Sequence, residues 1–243
     1  MVSLYNIYKG DSFMASELLM INEKFDGVKK DPLTNKWLID YIYAKDDCLY
    51  IALEGDIHIN GNVTADIISV GNTCKNIRID GLLTCRFIIA METNIYTRDG
   101  IQANSSIFSK DIITYKNIKA GNSIVSSGDI IADIVDTTDT CGYKESPHDI
   151  LCSGRIDAGM LRSKGHIEAK LGIQSRGLIY ATGHIESGVD LIAYNSITSE
   201  SYIDVNGRIF AGVMNGLKNS MQIQCTELKR GTICYGELIT LSK

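Results

Sequence analysis

The residues best suited to chemistry are two histidines and two glutamates in matching six-residue units, GHIEAK at 165–170 and GHIESG at 183–188. His166 and His184 hold the second place of their units, and Glu168 and Glu186 the fourth. If three such units close one turn of a coil, each pair stacks on adjacent turns, about 5 Å apart. Imidazole beside carboxylate is a donor set for a divalent transition metal. These four residues are therefore the candidate metal ligands. The plainer reading of the same residues is a polar ladder on a duplicated turn, and that reading is preferred, so no bound metal is expected. His148 lies as far before His166 as His166 lies before His184. It holds another place in its unit, however, so the pattern does not carry it into the ladder.

A second group of oxygen donors, Asp133, Asp136, Asp139 and Glu145, lies in or beside the stretch IVDTTDTCGYKESP at 134–147. Clustered carboxylates suit calcium, but this spacing fits no calcium loop and lacks the glycine such a loop turns on. A solvated loop or a partner contact is expected instead. The seven cysteines (Cys48, Cys74, Cys85, Cys141, Cys152, Cys225 and Cys234) are odd in number and show no C-x-x-C spacing. They read as reduced thiols filling a core. G-x-S-x-G, H-E-x-x-H, the phosphate-binding loop and G-x-G-x-x-G are all missing. No catalytic residue and no cofactor is expected, and the chain reads as a non-enzyme.

These side chains are positioned by a repeat. From Gly165 the chain runs GHIEAK, LGIQSR, GLIYAT, GHIESG, VDLIAY, NSITSE, SYIDVN, GRIFAG. The third place is aliphatic throughout, and the fifth is small in all but Val205. The same frame fits 55–66, 75–116, 116–133 and 148–164, and 18 of these 23 units carry Ala, Ser, Thr or Cys at the fifth place, which chance does not produce. Places three and five are two apart, so on a strand they face the same way. A large residue fills the centre and a small one fits near a corner. Glycine often opens the unit, where the chain bends. A period of six matches no helix.

The strongest internal match brings GHIEAK at 165 back as GHIESG at 183, which makes three units per turn. The expected fold is all-β, a three-sided parallel β-helix of roughly eight turns. Residues 55–212 form the coil, with 134–147 extruded as a loop. Residues 1–54 are expected as an N-terminal cap. In it, Ser12 starts a short helix over 12–25, with Leu18, Leu19, Ile21 and Phe25 on one face. A hairpin follows, WLIDYIYA and CLYIAL around Lys45, Asp46 and Asp47. Residues 213–243 are expected as C-terminal cap strands outside the repeat frame.

The fourth places face outward. Tyr96, Phe108, Tyr180, Ile192 and Phe210 occupy them, and Ile192 and Phe210 are in register. Exposed apolar residues in register mark an interface or a sugar-binding strip. Phe108, Tyr180, Ile192 and Phe210 are the candidate interface residues. The net charge of −5 gives no basic patch for nucleic acid. No apolar run is long enough to span a bilayer. The N-terminus shows no secretory signal, and a cytoplasmic location is expected.

The G-x-I-x-A-x units in 55–66, 116–133 and 165–211 resemble the bactofilins, polymer-forming bacterial cytoskeletal proteins. That resemblance implies a right-handed three-sided coil that self-assembles without nucleotide, and it transfers no functional residue. A folded cap over 1–54 departs from that family's short tails and would block one polymerising end, which points to dimers or trimers. The expectation is a self-associating scaffold and homo-oligomer. A glycan-binding module and an acyltransferase-like enzyme are the alternatives. In the acyltransferases, however, the small residue falls four after the aliphatic one, not two.

Overall fold

A computed structural model of the chain describes residues 18–121, 123–137, 149–212 and 221–242. These residues form a parallel β-solenoid of about 10 turns, with strands that pair across a spacing of roughly 18 residues. No helix occurs among them. The strands fall into three ladders, named here faces A, B and C. Face A carries Ile124, Ile150, Ile167, Ile185 and Ile203 in successive parallel register. Face B carries Ile112, Ile130, Ile156, Ile173, Leu191 and Ile209. Face C carries Ile118, Val135, Leu161, Ile179, Ile197 and Ile223. All these side chains point inward, and none is more than 1% exposed. β-Branched residues suit such stacking, because each fits against its own kind one rung away.

The fifth place is more than small. Ser175 Oγ donates to the carbonyls of Gly159 and Leu178, at 3.2 and 3.1 Å. Ser187 Oγ donates to Asp190 O at 2.8 Å, and Ser199 Oγ to Tyr202 O at 3.0 Å. The buried serine hydroxyl thus satisfies a carbonyl left over where the chain turns its corner.

The coil extends beyond the expected bounds at both ends. Leu18–Ile21 is a strand, not part of a helix, and it pairs in parallel with Cys48–Ile51. Ile21 is fully buried, while Leu18 and Met20 are exposed. That alternation has period two, and the ladder it joins overrides helical propensity. Ser12 and the rest of 12–17 lie outside the described residues. The expected hairpin is one strand, Ile42–Ile51, that turns a corner at Lys45, Asp46 and Asp47 and runs parallel to Val63–Val70. The end of the core is covered instead by Phe25 and Val28, with Lys29–Lys30 antiparallel to Trp37–Leu38. Gln222–Cys225, Glu227–Tyr235 and Glu237–Thr240 continue the parallel ladders. These added coils raise the turn count above the expected eight.

Two units shift frame. The chain buries Ile88 and Ala90 rather than Ile89 and Met91, and Ile112 and Thr114 rather than Ile113 and Tyr115. Met91 and Tyr115 are too large for a corner, so the corner tightens by one residue and leaves them exposed. The insertion begins later than 134, because Ile134, Val135 and Asp136 pair with Met160, Leu161 and Arg162. There the register step widens. Ile112 pairs with Ile130 at the ordinary spacing, but Ile130 pairs with Ile156. An equally wide step separates Ile197 from Ile223.

The six described cysteines are free. Burial pushes the thiols of Cys74 and Cys152 up to about 12, and raises Cys85 as well. In the native protein a thiol reagent is expected to modify exposed Cys234 quickly and to reach these three only on unfolding. Native labelling of Cys152 at the rate of Cys234 would contradict the packing. Ile185→Ala, which empties the centre of one coil, should cost about 2–5 kcal/mol in urea unfolding. Outward Thr198→Ala should stay within about 0.5 kcal/mol.

Candidate functional site

Face A carries the site, because register sorts its outward residues into two columns. The fourth-place column runs Ile89, Phe108, Val125, Leu151, then Glu168, Glu186, Asp204 and Arg230. It is apolar for four rungs and acidic for three. Beside the acidic part stands the second-place column of His166, His184 and Tyr202. The two imidazoles stack at 3.8 Å between centroids, and Tyr202 stacks on His184 at 4.7 Å. Lys229 Nζ closes the stack, 3.1 Å from the Tyr202 ring centroid, a cation on a π face.

Hydrogen bonds fix the rings. The His166 backbone N–H donates to Asp149 Oδ1 at 2.7 Å, and the His184 backbone N–H donates to His166 Nδ1 at 3.0 Å. That bond from the backbone of the next coil fixes the orientation of the His166 ring. His184 Nε2 lies 2.8 Å from Glu168 Oε1 and 3.7 Å from Glu186 Oε1. Tyr202 donates its hydroxyl to Glu186 Oε1 at 2.7 Å. That bond, with the nearby charges of Glu186, Glu168 and Asp204, holds the phenol up to about 12. Asp204 is bound by Arg230 at 2.5 Å. The carboxylates border an open groove of about 350 Å³, shared with Val125, Lys170 and Arg230.

The structure brings together Glu168, His184 and Glu186, whose donor atoms all lie within 4.8 Å of one another. His166 supports the group from the rung before it. His148, Asp139 and Glu145 lie outside the described residues. Asp136 is buried in an ion pair with Arg162, Nη2 to Oδ2 at 2.5 Å, so it is unavailable to calcium, and Asp133 is exposed on the strand. The four candidate interface residues do not share a face. Phe108 is on face A, Tyr180 on face C, and Ile192 and Phe210 on face B. Tyr96 also lies on face B. Tyr180 donates its hydroxyl to Glu200.

Tyr202, Asp204, Lys229 and Arg230 were not singled out by sequence reasoning. The signal for the first two was present. Tyr202 and Asp204 hold places two and four of SYIDVN, one turn of the repeat after His184 and Glu186. Lys229 and Arg230 lie beyond the second wide register step, where the frame gives no guide.

Gly183 is what lets the stack form. A Cβ there would sit 2.2 Å from His166 Nδ1 and 2.8 Å from Gly165 O. Gly183→Ala is therefore expected to destabilise the protein by about 1–3 kcal/mol, seen as a lowered Tm. An unchanged Tm would show that the imidazole stack is not held as described.

No family model, no curated protein and no solved structure matches this chain, which is thus placed by its ladders alone, as a parallel β-solenoid.

Proposed function

We propose that the protein is a non-catalytic structural solenoid, bactofilin-like in kind, that associates with a second copy of itself through face A. One observation carries this reading. Ile89, Phe108, Val125 and Leu151 form an unbroken outward apolar stripe over four coils, each half-buried by its neighbours in the column. Phe87 and exposed Met91 widen it. A contiguous apolar stripe on a flat sheet face is a contact surface.

Charge selects the partner and its orientation. In the N-terminal direction the column continues as Ser69, Tyr50 and Met20, all uncharged. A two-fold axis between Phe108 and Val125 sets Leu151 of one copy against Ile89 of the other. It places Glu168 and Glu186 opposite Ser69 and Tyr50. The antiparallel pairing therefore keeps the two acidic halves apart, whereas a parallel pairing would set them against each other. A stable interface of this sort buries about 800 Å² per partner, so the rims of the face join the contact as well as the stripe.

Light scattering on a sizing column should give a dimer at tens of micromolar, roughly the range of a modest interface of this size. Phe108→Lys with Val125→Lys should yield a monomer with an unchanged circular dichroism spectrum, and Phe210→Lys on face B should leave the dimer intact. A wild-type protein that stays monomeric at high concentration would sink the reading. So would self-association that persists undiminished in the Phe108→Lys with Val125→Lys variant, which would place the contact outside face A.

A further inference from the structure

At five places among the described residues an aspartate meets an arginine one coil away: Asp66–Arg86, Asp129–Arg155, Asp136–Arg162, Asp190–Arg208 and Asp204–Arg230, with N···O distances of 2.5 to 3.3 Å. Glu168 and Glu186 are placed differently. They are direct Cα partners on adjacent coils, and Asp204 follows Glu186 on the next. Like charges directly opposite one another on neighbouring strands destabilise a sheet. Among the described residues no lysine or arginine lies within ion-pair distance of either glutamate, and His184 Nε2 stands between them.

We propose that Glu168, His184 and Glu186 form a binding site for one divalent transition-metal ion of the zinc class. The donor set is one imidazole nitrogen and two carboxylates, leaving a fourth position to water, as in open zinc sites. The nitrogen favours zinc over calcium and magnesium, which take oxygen. Rigidity and reach are divided suitably. The His184 side chain is 14% exposed and is clamped between His166 and Tyr202. Both glutamate side chains are 41% exposed and can rotate inward. Tetrahedral coordination at about 2.0–2.1 Å needs donors about 3.3 Å apart, and the present span of up to 4.8 Å closes by that rotation. The metal takes Nε2, so the imidazole proton resides on Nδ1. Tyr202, donating to Glu186, supplies the outer hydrogen bond that orients a ligating carboxylate. The cation neutralises the opposed glutamates, the role arginine has at the other five positions.

The site lies within one chain, so it stands or falls separately from the association through face A. Calorimetric titration with zinc, and separately with calcium, tests it on the full chain after alkylation of the accessible thiols. One equivalent of zinc should bind, at least about tenfold more tightly than calcium. His184→Gln, and the double variant Glu168→Gln with Glu186→Gln, should each remove that equivalent or weaken it about tenfold or more. Both replace outward side chains with near-isosteres, and circular dichroism checks the fold. His58→Gln, at the histidine paired with Asp80 on face B, should leave binding unchanged. Absence of zinc binding at millimolar concentration would overturn the proposal. So would undiminished binding in both His184 and glutamate variants, or calcium bound as tightly as zinc.

Discussion

Among the described residues, each interior coil hydrogen-bonds in parallel register to the coil before it and the coil after it, and that single constraint governs the rest. A residue's neighbour is set by the chain one turn away rather than by its own strand. Like therefore stacks on like, at about 4.8 Å. For isoleucine this is favourable, since each side chain buries the next. For polar residues it is favourable only when donor and acceptor alternate. The chain does so at Asp56, Asn76 and Asn94, where each amide donates to the residue one coil earlier, at 2.7 and 2.8 Å. For charge it is unfavourable, and cross-coil Asp–Arg pairs are the remedy. The hydrophobic interior and the electrostatic surface are two results of one geometry.

The corners are the second consequence. Three flat faces need three turns per coil, and successive corners sit on top of each other as closely as the strands do. A Cβ at Gly188 would lie 1.8 Å from Lys170 O, and one at Gly177 would lie 2.6 Å from Gly159 O. Glycine there answers a steric demand from the neighbouring coil. The serine hydroxyls just inside the same corners answer a hydrogen-bonding one. Because strands cannot lengthen without breaking the prism, extra chain enters only between them. Both wide register steps respect this. Beyond the first the ladders resume without a shift, and beyond the second Tyr202–Ala211 pairs with Glu227–Tyr235 through three register irregularities.

How much of this was legible in the sequence follows from the same geometry. The aliphatic third place and the small fifth place are properties of one residue in one coil, so Ile167, Ile173 and Ile179 announce the core directly. The outward columns are relations between coils. Glu168 and Glu186 could be aligned because their units are near copies. Phe108 and Ile192 could not be assigned to different faces without tracking every one-residue slip at the corners. The slips at Ile88 and Ile112 leave the pattern ambiguous, because in FIIA and DIIT two adjacent isoleucines both fit the third place. Only the size of Met91 and Tyr115 against the small Ala90 and Thr114 decides it. The first coil reads as a helix because LLMI is apolar throughout. Its period of two emerges only when the partner strand Cys48–Ile51 half-buries Leu19, buries Ile21 and leaves Leu18 and Met20 outside.

The two proposals for face A bear on each other. In the proposed two-fold arrangement, the apolar stripe would bring uncharged surface around Ser69 and Tyr50 over the acidic rungs of the other copy. Covering opposed carboxylates would remove their water without supplying a counter-charge, and that desolvation would oppose the contact. A cation held between Glu168 and Glu186 would remove the opposition before the second copy arrives. Association in turn would shield the cation from water and strengthen its attraction to both carboxylates. The coupling must be equal in both directions, since it is a free energy between two binding events. At five other places an arginine gives an aspartate permanent neutralisation. Beside Glu168 and Glu186 stands a histidine instead, on the same face as the outward apolar stripe of Ile89, Phe108, Val125 and Leu151.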